Sequence, residues 1–255
     1  MSKYHFHRLC AAYFGLPLGA LVIRLRMKKA AYQLAYRPQL KILDISLDAG
    51  FETHEGFTRA FRKLFDASPS QFRSSPDWST WQQHYEPIHI LRNKIMKPAN
   101  TIKVDIVDFP ATQIATMEHR GAPNLIGQTI GRFIQWRRAN GLPPNKSRTF
   151  NLAYDDPRTT ASEDYRFDLA CTFDNPIQLE GEGIIEKCIP AGPCARVRHI
   201  GSDDSLAQSV DFLYRHWLPE SECELRDFPV FFERVSFFPE VPEQEMITDI
   251  YLPIE

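Results

Sequence analysis

The apolar positions of the first 75 residues recur at helical spacing. Leu18, Leu21 and Leu25 follow one another every three or four residues, and the same period continues to Leu34. Charged side chains lie between them, so we predict one amphipathic helix over 18–36.

A short helix and a longer helix follow, separated by a glycine. Ile45 and Ala49 mark the buried face of the short helix, and Gly50 ends it because glycine adopts a left-handed backbone that other residues resist. Thr53 is the candidate N-cap of the longer helix. The apolar stripe of this longer helix consists of Phe57, Phe61, Leu64 and Phe65. The order of short helix, turn and second helix is the helix-turn-helix pattern.

The longer helix has an echo 51 residues upstream. Phe6 aligns with Phe57, and Arg8 aligns with Arg59. Two copies of one helix, joined by the predicted helix 18–36, indicate two tandem helix-turn-helix units.

From residue 101 the apolar period shortens towards two, which is typical of strands. Segments 109–121 and 189–201 share Pro, Ala, Ala, His and Gly at a constant offset of 80, and an apolar helix ending in Trp follows each. Each helix leads into Leu-Pro and then into further strands. The pattern predicts an α+β domain of two strand-strand-helix-strand-strand halves, related by a pseudo-twofold axis, with a cleft where they meet.

Composition adds a division of charge between the two regions. The chain has 255 residues, 43% hydrophobic and 24% charged, a balance that excludes an intrinsically disordered protein. Residues 1–100 carry 15 Lys and Arg against 7 Asp and Glu, a formal charge of +8, whereas residues 101–255 carry −10. A basic helical region beside an acidic one is typical of a polyanion-binding module joined to a second domain.

These observations predict a multidomain chain: an all-α tandem helix-turn-helix domain over 1–75, a linker over 76–100 and the α+β domain over 101–255. The five cysteines form no Cys-x-x-Cys pair, which fits a reducing cytoplasm. We see no signal peptide and no apolar run long enough to span a membrane, and therefore expect no membrane partner.

The segment 44–62, followed by Ser-Pro-Ser-Gln-Phe-Arg at 68–73, resembles the signature of AraC/XylS-family transcription regulators. Asp66 stands where that family often has Gly. The family's first unit has two helices before its recognition helix, whereas Met1 falls at the start of that helix here, so we expect an incomplete first unit. The resemblance implies promoter DNA as a partner, with RNA polymerase as a further candidate.

A recognition helix presents its outward N-terminal positions to base edges. The outward positions of the two copies, which match those that contact bases in the family, are Tyr4, His7, Arg8, His54, Glu55, Thr58 and Arg59, with Arg62 placed for phosphates. A solvated surface is the alternative for each. We favour DNA contact for Arg8 and Arg59, because both copies place an arginine at the same outward position. His5 and His7 lie two apart on a helix and point to different sides, so no zinc site is expected.

An ordered set of short motifs characterises the second region: Pro110-Ala111, Tyr154-Asp155-Asp156-Pro157, Pro190-Ala191-Gly192, Trp217-Leu218-Pro219 and Phe232-Glu233. Through them, residues 101–255 resemble the GyrI-like effector-binding domain. That family binds small, often cationic or amphipathic effectors between its two halves, using a central glutamate ringed by aromatic residues.

Glu233 interrupts an apolar strand, on which Phe231 and Val235 share its face. A carboxylate in apolar surroundings loses hydration unless a cation or hydrogen-bond donors compensate, and aromatic rings can supply part of a cation's recognition. Glu233 is therefore our candidate ligand-binding acid; the alternatives are a permanent pair with a structural arginine or an orientation towards solvent. The candidate pocket walls are Phe231, Trp136, Trp217 and Tyr154, although large aromatic residues are also ordinary core residues.

We expect a cytoplasmic transcription regulator that senses a small effector, and not an enzyme. The sequence contains no nucleophile elbow and no phosphate-binding glycine loop, and nothing in it calls for a cofactor or a metal. One alternative is a hydrolase in which Glu233 activates water. The other is a stand-alone ligand-binding or protein-inhibiting module whose DNA-binding domain is disabled by its incomplete first unit.

Overall fold

A computed structural model of the chain describes residues 2–95, 102–173 and 183–255, with the backbone alone at 3–5, 10, 86–87 and 89–95. The chain divides into two compact units, Met1–Met96 and Lys97–Glu255. Each unit is described by itself below.

The first unit is helical. Its helices are α1 (Lys3–Phe14), α2 (Leu18–Tyr36), α3 (Ile42–Asp48), α4 (His54–Phe65), α5 (Pro69–Ser74) and α6 (Trp78–Ile95). The predicted helix over 18–36 is confirmed as α2, and the predicted helix-turn-helix is confirmed as α3 and α4. Gly50 has a φ of 76° in the turn between these two helices, as its position predicted. Among the described residues, no single helix could cross a membrane; α1 and α2 reach the required length and composition only as a pair bent by 60°.

The core of this unit is built around the apolar face of α4. Phe57 and Phe61 are fully buried, and Phe65 is 2% exposed. They pack with Leu34 of α2 and Ile45 of α3, which fixes α4 on its scaffold through one face and leaves the other face free.

Helix α6 corrects the prediction of a linker over 76–100. Its residues Trp78, Tyr85 and Ile88 are buried, and the Tyr85 hydroxyl donates a hydrogen bond to the Arg24 carbonyl over 2.9 Å. These contacts place residues 78–95 in the same core as the helix-turn-helix. The part of the predicted linker at 96–100 lies outside the described residues.

The second unit is a single antiparallel sheet with helices. Its strands are β1 (Val104–Phe109), β2 (Thr112–Arg120), β3 (Thr149–Ala153), β4 (Arg166–Thr172), β5 (Ile184–Ile189), β6 (Gly192–Ile200), β7 (Val230–Arg234) and β8 (Ile247–Pro253). Helix α7 (Ile126–Ala139) follows β2, whereas α8 (Leu206–Phe212), a π-helical turn and α9 (Leu218–Ser221) follow β6. The strand order is β1-β6-β8-β7-β3-β4-β2-β5.

This order confirms the predicted pseudo-twofold relation. If β1 to β4 are exchanged with β5 to β8, the same order is read from the other edge of the sheet. The halves also exchange strands, because β1 pairs with β6 and β5 pairs with β2. The central pair, β3 with β7, joins the two halves.

The two faces of the sheet differ. On one face, α7 packs over Met117 and Leu169, and α8 with its π-helical turn packs over Val197 and Ile250. The opposite face, called the open face below, is defined by the apolar cluster Val107, Phe109, Ile114, Phe150, Leu152, Tyr154, Ala170, Ile189, Cys194, Phe228, Phe231 and Tyr251. Strands and loops supply this cluster, and none of its members in the described chain belongs to a helix.

Candidate functional site

Helix α4 presents a polar face opposite its buried phenylalanines. His54, Glu55, Arg59 and Arg62 are all exposed along this face. The helix begins at a true cap, since the Gly56 N–H donates to the Thr53 hydroxyl over 3.1 Å, which confirms Thr53 as the N-cap. The arrangement can offer two guanidinium groups and two further polar side chains to a groove or a polyanion.

Thr58 differs from the other candidates of this helix. The residue is half-buried, and its hydroxyl oxygen is buried with no hydrogen-bond partner among the described residues. The side chain turns towards the scaffold because position 58 directly follows the buried Phe57. The structure therefore does not bring the Thr58 hydroxyl together with the exposed set.

Helix α1 carries the candidates of the first copy. His7 and Arg8 are exposed, whereas the side chain of Tyr4 lies outside the described residues. Phe6, the counterpart of Phe57, is 44% exposed instead of buried. The first copy therefore repeats the polar face of α4 without repeating its packing.

Glu233 lies on the open face, at the central strand pair. It is cross-strand from Phe150 of β3 and is 17% exposed. Arg148 donates from Nε and Nη2 to its two oxygens over 2.7 and 2.8 Å, and the Tyr251 hydroxyl donates to Oε2 over 3.2 Å. The hydrogen bond to Glu233 raises the pKa of Arg148, and burial together with the Glu233 charge raises the pKa of Tyr251 to about 12.

Aromatic rings surround this carboxylate. Phe231 stacks on Tyr251 with 5.0 Å between ring centroids, and Phe109 lies 4.9 Å from Phe231 and 5.1 Å from Tyr251. The Arg148 guanidinium lies over Phe150, at 4.9 Å from the ring centroid. The site therefore joins an acid, a cation and a set of ring faces, the combination that recognises flat organic cations.

A second charged cluster lies on the open face in the other half. Asp168 is fully buried and accepts hydrogen bonds from Lys187 over 2.6 Å, from Tyr154 over 2.9 Å and from Arg120 over 3.1 Å. Burial and the Asp168 charge raise the pKa of Tyr154. For Lys187, the hydrogen bonds to Asp168 and Glu118 outweigh burial and raise its pKa. Because its charges are matched within the cluster, this arrangement satisfies itself.

Two of the four predicted pocket walls lie elsewhere. Trp136 is 2% exposed and packs with Met117 and Leu169, and Trp217 packs with Phe232 and Ile250, all on the helix-covered face. The structure therefore does not bring Trp136 or Trp217 together with Glu233, since each belongs to a helix that covers the opposite face. Phe231 and Tyr154 do lie on the open face.

His119 and His199 confirm the duplication in atomic detail. His119 Nδ1 lies 2.9 Å from Thr129 Oγ1, and His199 Nδ1 lies 3.0 Å from Ser209 Oγ, 80 residues further along. In each half the other ring nitrogen lies 3.2 Å from a carbonyl oxygen three residues on. Both rings fasten a strand to the following helix.

Sequence reasoning missed Arg148, Phe109, Phe150 and Tyr251. Strand parity places the two phenylalanines and Tyr251 on the open face with Phe231, so this signal was available once the register was known. Arg148 left no such signal, because it precedes β3 and its partner lies 85 residues away.

The fold and these two surfaces define a class of protein: a DNA-binding transcription regulator that joins a helix-turn-helix region to a small-molecule-sensing domain. Residues 1–75 match the helix-turn-helix domain, and residues 102–255 match the GyrI-like small molecule binding domain. The chain belongs to the GyrI-like family and carries an AraC-type helix-turn-helix domain at its N-terminus.

The chain is 38% identical over 155 residues to the probable transcriptional regulator YgiV of Escherichia coli K12, which covers 60% of this chain and 97% of that protein. It is 39% identical over 82 residues to the right origin-binding protein of the same organism, which covers 31% of this chain and 27% of that protein. A cryo-EM structure of an EcmrR–DNA complex has the same fold, with a TM-score of 0.52 at 17% identity, covering 88% of this chain and 81% of that one.

Proposed function

We propose that this regulator reads DNA with the exposed face of α4, with α1 as a second contact. The observation that supports this is the division of α4 into a buried phenylalanine stripe and an exposed set, His54, Glu55, Arg59 and Arg62. In a helix-turn-helix, the exposed N-terminal part of the second helix meets base edges, and arginines further along meet phosphates. His7 and Arg8 extend the proposed surface, and Tyr4 remains a candidate.

The effector, in this proposal, is an organic cation or an amphipathic cation that binds the open face at Glu233. A half-buried carboxylate among Phe109, Phe150, Phe231 and Tyr251 supports this choice, because ion pairing and cation–π contact act together there. Tyr154 stays a candidate wall at the other half of the same face.

DNA binding is tested by fluorescence anisotropy with the full chain and its own upstream region, across a range of salt concentrations. We expect Arg59→Ala to weaken specific binding about tenfold or more, since one good base contact contributes about 1–3 kcal/mol of discrimination. Arg132→Ala removes an exposed arginine of α7 in the other unit and is the matched control. Equal binding by the wild type and Arg59→Ala would contradict the assignment of α4.

The packing of α1 favours one second candidate, a protein that binds the ligand without reading DNA. Phe6, Leu9 and Tyr13 are exposed on α1, so the first copy has no buried stripe of its own in the described structure. The same titration decides: a folded wild-type chain that binds its upstream region no better than unrelated DNA would support this candidate.

A hydrolytic role for Glu233 has less support. Arg148 engages both carboxylate oxygens and Tyr251 engages one of them, so the acid is arranged to hold a cation and not to activate water. A promoter-binding regulator acts in the cytoplasm and works with RNA polymerase. These two features belong to the proposal and would be tested by transcription from the upstream region in vitro.

A further inference from the structure

Arg148 makes, within the chain, the contacts that a bound organic cation would make with the open face. Its Nε and Nη2 atoms donate to the two oxygens of Glu233. Its guanidinium carbon lies 4.9 Å from the ring centroid of Phe150 and 5.5 Å from that of Phe109. A planar, delocalised cation paired with a carboxylate and held against ring faces uses the same interactions that recognise aromatic cations.

The guanidinium lies on the solvent side of the acid. The Arg148 side chain is 42% exposed, whereas that of Glu233 is 17% exposed. A half-exposed arginine keeps much of its hydration, so its pair is weaker than a fully buried one and is screened by salt. The arginine can therefore leave the carboxylate for water at a small cost.

The main chain at Arg148 is fixed, which confines any movement to the side chain. The Arg148 N–H donates to Thr172 Oγ1 over 2.9 Å, and the Thr172 N–H donates to the Arg148 carbonyl over 3.0 Å. These two bonds tie residue 148 to the end of β4. Displacement of the guanidinium requires rotation about side-chain bonds and leaves β3 in place.

We propose that Arg148 is a specificity-determining residue that occupies the cation subsite of Glu233 until an effector displaces it. The proposal rests on the proposed function, since it takes Glu233 as the acid that binds the effector. An incoming cation gains the carboxylate only after Arg148 has released it, so the effector's affinity is reduced by the fraction of molecules in which the subsite is open. A small ammonium ion offers no contact beyond those Arg148 already makes. A large aromatic cation also covers Phe231 and Tyr251, and the arginine therefore selects for it.

The test uses the full chain and two probes of equal shape and opposite charge, tetraphenylphosphonium and tetraphenylborate, with affinity measured by calorimetry. We expect Arg148→Met to bind tetraphenylphosphonium about tenfold more tightly than the wild type. Arg158→Met is the charge-matched control, because Arg158 is 50% exposed and pairs with Asp156 and Asp211 away from the open face. We expect this control to bind within about twofold of the wild type, since it leaves the Glu233 subsite occupied.

A direct readout accompanies the affinities. In the wild type, tetraphenylphosphonium should shift the Nε–H resonance of Arg148 towards that of a solvent-exposed arginine, because the hydrogen bond to Glu233 is lost. A purely structural arginine would keep its resonance on binding.

The outcomes separate the two proposals. If the wild type binds tetraphenylphosphonium but a folded Arg148→Met binds it no more tightly, the displacement proposal is overturned and the effector proposal stands. If neither protein binds it, both are overturned. If the wild type prefers tetraphenylborate and Arg148→Met loses that preference, Arg148 itself is the ligand-binding group and the displacement proposal is wrong. Should Arg148→Met not fold, Arg148→Lys keeps a cation without the bidentate pair, and the absence of any gain in affinity for it would also overturn the proposal.

Discussion

Asp66 closes α4 in the left-handed region, with φ of 53° and ψ of 14°. A side chain with a Cβ is strained there, whereas glycine is not, which explains in physical terms why glycine suits this position. We expect Asp66→Gly to stabilise the protein by roughly 0.5–1 kcal/mol, measured by urea denaturation. Asp66→Ala removes the same carboxylate and keeps the strain, so an alanine variant as stable as the glycine variant would contradict the explanation.

His199 is a second residue with a measurable consequence. Burial lowers its pKa from 6.5, an effect that the Ser202 carbonyl and Asp203 oppose and that Arg234 reinforces. The unfolded chain therefore binds a proton near pH 6.5 that the folded chain resists. The stability from neutral His199 is complete above pH 6.5 and is lost as the pH falls from there through the folded pKa. We expect the free energy of unfolding to fall between pH 7.5 and 5.5, and His199→Gln to make this slope shallower; an unchanged slope would contradict the assignment.

The site was only partly predictable at the scale of single residues. Glu233 could be chosen because a carboxylate within an apolar strand needs a partner. Its actual partner, Arg148, could not be chosen, since the strand register brings together residues 85 apart. Trp136 and Trp217 were chosen by size, but size does not say which face of a sheet a helix covers.

Helix α6 shows the same limit at the scale of an element. Trp78, Trp81, Tyr85 and Ile88 recur at helical spacing, so the sequence held the signal of an amphipathic helix. The segment nevertheless lies beyond the AraC-type signature and beside a proline-containing joint, and we interpreted it as a linker. The structure instead makes it part of the core of the first unit.

The contribution of α6 to stability follows from Tyr85. The residue is fully buried, and its hydroxyl donates to the Arg24 carbonyl. We expect Tyr85→Ala to destabilise the first unit by about 3–5 kcal/mol, because it leaves a large cavity, and Tyr85→Phe to cost about 1 kcal/mol for the hydrogen bond. Urea denaturation followed through the NMR signals of residues 2–95 measures both. Equal and small losses would mean that α6 does not hold the helix-turn-helix together.

At the scale of the whole molecule, the duplication was readable and its strand exchange was not. The offset of 80 residues between the two Pro-Ala motifs predicted two equivalent halves, and the strands and the two histidine contacts obey it. A repeat says which segments are alike but not which of them pair. Pairing of β1 with β6 and of β5 with β2 depends on long-range register that the local pattern does not carry.

The two units together make one further prediction. An effector can alter DNA affinity only if it binds the DNA-competent and DNA-incompetent states with different affinities, and any such coupling is reciprocal. If tetraphenylphosphonium at saturation changes the Kd for the upstream DNA by some factor, saturating DNA must change the Kd for tetraphenylphosphonium by the same factor. We expect a factor between about 5 and 150, the usual range of such couplings. Anisotropy gives the first ratio and calorimetry the second. A ratio of one in both experiments, with both ligands bound, would mean that the open face binds its ligand without informing the helix-turn-helix, whereas unequal ratios would mean that the ligand also binds outside the open face.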